Sequence, residues 1–340
     1  GSTGAAFDPC VRADATVTFQ YLKTGLCLAD GLDVCGAVTL ADVGFPRTGF
    51  GPMDGWLLES ADLPGLLPTR PRNLHKGRCG HLLIVAGAMG MAGAAVMCAR
   101  GALRSGAGLV SIACPLSIVP VLQALVPQAM CIPLPEQEGV VAPEAAPVLR
   151  HALSGKTAAV VGCGLSRRAA PEAVLSVLES GLPAVIDADG LNLLSESPAL
   201  LAALRPHHIL TPHPGEAARL LTALPDGCQE SASPLEIVRK LGKLGATVLY
   251  KGAACIAFSP EATYISASGC SGMAKGGSGD VLSGILGALL AEPSSRAPAL
   301  TAALASELHG LSGERAQARY GNRSMNAMDI PEFLPEVFPS

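Results

Sequence analysis

The residues best placed to do chemistry lie between Gly272 and Gly287, in the stretch GMAKGGSGDVLSGILG. Gly276, Gly277 and Gly279 surround Ser278 and run directly into Asp280. Val281 to Leu286 is apolar and reads as a helix. Glycines allow positive φ and a close approach of backbone to ligand. The first N–H groups of a helix lack partners, and the helix dipole adds positive charge beside them. The stretch therefore reads as an anion site suited to phosphate. A carboxylate there repels the ligand, so Asp280 needs a task, such as taking a proton from a hydroxyl beside the phosphate. The plainer reading is a glycine turn ahead of a helix, with Asp280 in the first turn because acids are favoured there.

The elements that must hold this loop begin at His81, where the chain starts to alternate strands and helices. Strands are expected at His81–Gly87, Leu109–Cys114, Ala158–Gly162, Ala184–Asp187, His208–Thr211 and Thr247–Tyr250. Ala254–Phe258 and Ala262–Ser266 read as a short antiparallel pair. Helices are expected at Ala92–Ser105, Pro171–Glu179 and Glu236–Leu244, then from Gly279, from Ala297 to Arg319 and from Met328 to Val337. The pattern implies an α/β fold: a mostly parallel central sheet with helices on both faces. Ligands of such sheets bind beyond the carboxyl ends of the strands.

Polar or glycine-rich clusters follow those ends. Gly87 to Ala94 and Gly162 to Ser166 each fit either a ligand loop or close helix–strand packing. Asp187 and Asp189 place two carboxylates at one strand end, to be solvated, paired, cation-bound or used as a helix cap. Pro212 and Pro214 stiffen the turn around His213, which is either a ligand contact or structural. Lys251, followed by Gly252, Ala253 and Ala254, is a point charge for a phosphate or a solvated surface lysine.

Residues 1–70 differ in character. Strands are expected at Ala15–Phe19 and Val38–Gly44, and the Gly- and Pro-rich stretch from Pro46 to Arg72 reads as a linker. Two strands make too small a core to stand alone, so this part reads as the tail of a larger domain. Among 340 residues, 49% are hydrophobic and 4% aromatic, and the net charge is −4, which argues against nucleic-acid or anionic-membrane partners. The 11 cysteines are scattered without zinc spacing and fit a reducing compartment. No apolar run reaches the roughly 18 residues of a membrane span and no signal peptide is read, so a soluble cytoplasmic protein is expected.

Taken together, His75–Gly77 with Gly80–His81, Ala99–Val110, Asp187–Leu194, Thr211–Glu216 and Gly272–Asp280 resemble the ADP-dependent NAD(P)H-hydrate dehydratases, over about residues 70–338. The resemblance implies a ribokinase-like fold over residues 61–340. It implies repair of the (6S)-hydrates of NADH and NADPH (NADHX and NADPHX) with ADP, or with ATP as the alternative, and with Mg²⁺; no all-protein cage for the metal is visible. It implies nucleotide contacts along Lys251, Gly252, Ala253, Ala254 and Cys255 and at Gly277, Ser278 and Gly279. The hydrate would meet Ala94, Gly164, His213 and Asp280, with Asp280 as the catalytic base. A homo-oligomer, tetrameric in this family, is also implied. Residues 1–60 resemble the end of the NAD(P)H-hydrate epimerase domain through Gly1–Gly4, Val11–Phe19, Lys23–Leu26 and Ala41–Pro46. The expectation there is a truncated bifunctional protein without epimerase activity. Two differences from the family pattern stand out: Cys270-Ser271 replaces an Asn-Pro pair, and Gly252 to Cys255 reads Gly-Ala-Ala-Cys in place of Gly-Ala-Gly-Thr. A kinase of the same fold, acting on a hydroxymethylpyrimidine or thiazole alcohol, would share the loop and the aspartate. A non-catalytic nucleotide-binding scaffold is the third reading.

Overall fold

The computed structural model describes residues 3–45, 53–67, 69–224 and 233–339. Gly1 and Ser2 of the opening turn, and residues 46–52 of the expected linker, lie outside the described residues. A ten-stranded sheet runs through the molecule. Its order is Trp56–Leu58, Thr263–Ser266, Cys255–Phe258, Thr247–Tyr250, His208–Leu210, Ala184–Ile186, Ala158–Val161, His81–Val85, Leu109–Pro115, Met130–Leu134. Cys255–Phe258 is antiparallel to both of its neighbours, and every other pairing is parallel. The α/β expectation holds.

The buried strands are apolar runs because helices cover both faces. Leu82 and Ile84 point into one core, with the helices Ala92–Arg104, Ser278–Ala291 and Pro298–Tyr320. Leu83 and Val85 point into the other, with Ala145–Leu153, Pro171–Leu178, Asp189–Glu196, Pro214–Thr222 and Pro234–Leu241. Among the departures from the expected pattern, three concern the edges of the sheet and the end of the chain. The supposed linker contains Trp56–Leu58, which pairs in parallel with Thr263–Ser266 and extends the sheet. Met130–Leu134 forms the opposite edge, where Pro133 is tolerated because a ladder is present on one side only. The last helix is shorter than expected: Ile330–Phe333 is followed by a 3₁₀ turn.

Ala15–Phe19 and Ala37–Ala41 form a separate two-stranded parallel sheet. Val17, Phe19 and Leu40 on it are exposed, although parallel strands are ordinarily covered on both faces.

The helix Ser278–Ala291 is largely apolar all round because the sheet, Ala92–Arg104 and Pro298–Tyr320 all pack against it. Glycines make this close approach possible. A Cβ on Gly284 would lie 1.9 Å from the Cys98 carbonyl oxygen, and one on Gly287 would lie 2.5 Å from Val160. Gly284→Ala is therefore expected to lower stability by about 1–3 kcal/mol, since backbone must move to admit the methyl. A thermal melt unchanged from wild type would contradict this packing.

Candidate active site

The strand order reverses between His81–Val85 and Ala158–Val161. Successive strands lead away from that pair in both directions, and the crevice at such a point is where ligands of α/β sheets bind. The loops leaving the two strands are tied together. Gly162 N–H donates to the Val85 carbonyl (3.1 Å), and Gly87 N–H donates to the Cys163 carbonyl (2.9 Å). Gly164 has φ +59, and a Cβ there would meet the Ala94 methyl at 2.7 Å. These two expected substrate-side positions are thus direct neighbours at the rim of the crevice.

Asp187 forms the centre. It follows the strand Ala184–Ile186 and is 1% exposed. Lys251 Nζ, at the end of Thr247–Tyr250, donates to Asp187 Oδ1 at 2.6 Å. Ser283 Oγ, from the helix Ser278–Ala291, donates to Asp187 Oδ2 at 2.6 Å. Burial acts to raise the Asp187 pKa, but the Lys251 charge and the hydrogen bonds from Lys251, Ser283 and Thr211 outweigh it and hold the carboxyl below its usual range. Burial likewise acts against the Lys251 charge, and Asp187 and Glu216 overcome it, so the ammonium is stabilised. Neither aspartate caps the following helix. Its N-cap, Ala188, has φ +50, a strained value for a residue with a side chain, and Asp189 Oδ2 accepts from the Ser166 N–H at 2.8 Å.

Asp280 lies in the first turn of Ser278–Ala291. Its carboxylate, that of Asp187 and the Cys163 thiol offer ligand atoms within 4.8 Å of one another. Burial, then the Asp187 charge, push the Asp280 pKa up to about 7, against the Cys163 hydrogen bond and the Lys251 charge. Two neighbouring carboxylates are thereby driven apart in pKa, Asp187 favouring its ionised form and Asp280 poised near neutrality, a pairing that can divide charge-holding from acid–base chemistry. Gly277, with φ +100, is the N-cap of this helix, and its carbonyl accepts from the Val281 N–H. The N–H groups of Gly279 and Asp280 precede that first bond and stay free for an anion. A Cβ on Gly279 would lie 3.3 Å from Lys251 Nζ. Lys275 is turned away, donating to the Arg323 and Met325 carbonyls.

The remaining expected residues spread from this centre. Lys251 to Cys255 spans the turn between two antiparallel strands, with Gly252 and Ala253 exposed and Ala254 buried. His213 caps Pro214–Thr222: its Nδ1 accepts from Gly215 N–H, and its Nε2 is 3.4 Å from Glu216 Oε1. The His213 side chain is half exposed; the buried Glu216 beside it helps stabilise the Lys251 charge, and the Pro212 carbonyl accepts from the Lys251 N–H at 2.9 Å. Sequence reasoning did not single out Ser283 or Cys163. Ser283 lies three residues after Asp280 on the same helical face, a spacing that could have revealed it. Cys163 gave no local signal.

The donor set of Cys163, Asp187 and Asp280 does not suit Mg²⁺. A thiol is a poor ligand for a hard cation, and Asp187 is already engaged by Lys251.

An α/β protein with a glycine loop, a helix N-terminus and a buried aspartate beside its switch point has structural relatives. A ribokinase-like superfamily protein from Enterococcus faecalis superposes with a TM-score of 0.71, covering 86% of this chain and 98% of its own at 23% identity, so the fold is ribokinase-like. A family model described as NAD(P)H-hydrate dehydratase matches residues 82–336, and the chain belongs to that family. The bifunctional NAD(P)H-hydrate repair enzymes of Moorella thermoacetica and Coxiella burnetii are each 37% identical to it, over 98% and 96% of this chain. The chain spans 64% and 65% of their respective lengths. The ADP/ATP-dependent NAD(P)H-hydrate dehydratase of Bacillus subtilis, co-crystallised with ATP and Mg²⁺, is 25% identical with a TM-score of 0.64, over 84% of this chain and 98% of its own. No helix among the described residues is long and apolar enough to cross a membrane.

Proposed function

We propose that this chain dehydrates the (6S)-hydrates of NADH and NADPH at the expense of ADP, releasing AMP and phosphate. The observation that carries the reading is Asp280: a carboxylate held near neutral pKa in the first turn of a helix, beside free N–H groups and the Lys251–Asp187 pair. Family membership supports the substrate, and the co-crystallised Bacillus subtilis relative supports a nucleotide with Mg²⁺.

In this reading Asp280 takes the proton of the ring hydroxyl as its oxygen attacks the terminal phosphoryl group of ADP. An oxygen–phosphorus bond forms, the bond to AMP breaks, and the N–H groups of Gly277, Gly279 and Asp280 hold the developing charge, while that of Ser278 is engaged by the Lys275 carbonyl. The ring nitrogen lone pair then expels phosphate, and loss of the adjacent ring C–H proton restores the dihydronicotinamide. The nucleotide lies along Lys251 to Cys255, and the hydrate sits against Ala94, Gly164 and His213. Mg²⁺, when bound, would supply charge neutralisation for the phosphates of the nucleotide.

Residues 1–60 represent the end of an epimerase-like domain in this proposal, as the bifunctional relatives support. Within that span, the parallel pairing of Trp56–Leu58 with Thr263–Ser266 supports counting residues from Trp56 onward with the dehydratase-like domain in this proposal. The free cysteines support a cytoplasmic setting. Exposed Leu116, Val121, Leu125 and Met130 near one sheet edge support self-association, tetrameric by family.

The test supplies NADHX or NADPHX with ADP or ATP and follows the absorbance of the reduced nicotinamide. The expected result is a rise that requires nucleotide and is faster with ADP. Phosphorylation of a hydroxymethylpyrimidine or thiazole alcohol, with no such rise, would instead establish the kinase reading.

A further inference from the structure

A chain of polar contacts joins the loop of Gly164 to the turn of His213. It begins at Ser166, two residues beyond Gly164, where the Ser166 N–H donates to Asp189 Oδ2 at 2.8 Å. Asp189 Oδ1 accepts from Asn192 Nδ2 at 3.3 Å, and Asn192 Oδ1 accepts from Arg219 Nε at 2.9 Å. Arg219 leans back along Pro214–Thr222 toward His213, as helical side chains do. A Cβ on Gly215 would lie 3.8 Å from Arg219 Nη1 and 3.4 Å from His213 Nδ1, so guanidinium and imidazole border the same glycine.

The direction of the Asn192 amide follows from its neighbours. A guanidinium only donates and an ionised carboxylate only accepts, so Asn192 presents its oxygen to Arg219 and its nitrogen to Asp189. The amide therefore fixes Arg219 without cancelling its charge. Other arginines nearby are neutralised: Arg167 pairs with Glu196 and Arg168 with Glu138. Among the described residues no carboxylate pairs with the exposed Arg219, and Nη1 and Nη2 make no hydrogen bond. The helix dipole does not account for this placement, since it disfavours a cation toward the N-terminal end. Backbone strain lies along the same chain: Ser166 has φ +75, and Ala188, next to Asp189, has φ +50. Such values persist where the surroundings impose them, and ligand clamps are common places for them.

We propose that Arg219 is a specificity residue of the hydrate site and binds the pyrophosphate of the dinucleotide through Nη1 and Nη2. One ribose separates the nicotinamide ring from the pyrophosphate in both NADHX and NADPHX, so a cation beside His213 meets the charge nearest the reacting ring. The two N–H donors of a guanidinium edge match a pair of phosphate oxygens. Asn192 and Asp189 set the direction of that edge relative to the Gly164 loop. Each ligand then has its own cation, Lys251 for the nucleotide and Arg219 for the hydrate.

The inference rests on the functional reading above, and the two fail differently. A wild-type chain that does not dehydrate NADHX with ADP overturns that reading. Steady-state kinetics of variants test Arg219. In Arg219→Met, KM is expected to rise about 10- to 100-fold for NADHX and NADPHX alike, as for loss of charge-assisted hydrogen bonds. The change in kcat should be far smaller, because the contact is the same in ground and transition states, and KM for ADP should match wild type. Arg219→Lys, which keeps the charge but not the fork, should recover part of the loss. Asn192→Asp separates charge from structure: its carboxylate keeps the Arg219 hydrogen bond but neutralises the guanidinium, so KM for the hydrate should again rise. A purely structural hydrogen bond would survive that change. Calorimetric titration with NADH, the product, should give the same order of affinities without turnover. Four results would each overturn the proposal: an unchanged KM in Arg219→Met, a rise confined to NADPHX and its 2′-phosphate, equal weakening of hydrate and ADP, or an Asn192→Asp variant that binds the hydrate as wild type does.

Discussion

Asp280→Asn is expected to abolish turnover while ADP still binds. The amide preserves the shape of the side chain but cannot accept the hydroxyl proton, and loss of a positioned base lowers rate by about 10²- to 10⁴-fold. The free-enzyme pH profile carries the same signature. Asp280 must be ionised to act, and its pKa is pushed up to about 7 by burial and by Asp187. Thus kcat/KM should rise through about pH 7 and fall about tenfold per unit below it. Stability should move the opposite way: an ionised Asp280 is disfavoured in its buried place, so the neutral amide should raise the melting temperature at pH 8. Near-normal turnover in Asp280→Asn, or a flat profile between pH 5 and 8, removes the base assignment.

Lys251→Met should be the most damaging substitution for stability in the site. It leaves the Asp187 carboxylate, 1% exposed, with no counter-charge. Breaking a buried pair from one side costs about 3–5 kcal/mol. In the wild type the folded pKa of Asp187 is depressed, so its stabilising contribution is present above the unfolded pKa and is lost as pH falls through the folded one. In the variant burial, which raises the pKa, is opposed only by the hydrogen bonds from Ser283 and Thr211. The stability deficit should then be largest at pH 7–8 and shrink in acid, as the carboxyl protonates. Removing the Lys251 charge also takes away an influence that lowers the Asp280 pKa, so any residual activity should require higher pH. ADP affinity should fall as well, because the ammonium beside Gly279 is gone. Adding Asp187→Asn to Lys251→Met should recover part of the stability, and the double-mutant cycle isolates the pair. A single variant that melts with the wild type at neutral pH would show that Asp187 is satisfied by Ser283 and Thr211 alone.

Much of this protein was legible without its structure. Ala15–Phe19 and Thr247–Tyr250 form where the residue pattern placed them, and the GGSGD loop opens a helix as its glycines and following apolar run required. Local preference suffices in such places, since period-two alternation and buried apolar runs define strands while glycine defines the turn. Trp56–Leu58 was hidden because a three-residue strand amid glycine and proline has no periodicity of its own; only its partner, Thr263–Ser266, makes it a strand. Met130–Leu134 was hidden because its outer edge is open and it contains Pro133.

The chain alone also determined that several strand ends carry polar groups, and that one of them is followed by a glycine-rich loop running into a carboxylate and an apolar helix. Tertiary structure decided which groups meet. Asp187 stands 64 residues from Lys251 and 96 from Ser283, and sheet order together with the glycine-lined seam of Ser278–Ala291 brings the three within hydrogen-bonding distance. Burial and the proximity of Asp187 then raise the Asp280 pKa. Residue type and spacing can nominate such groups, but desolvation and charge proximity exist only once distant segments are packed together.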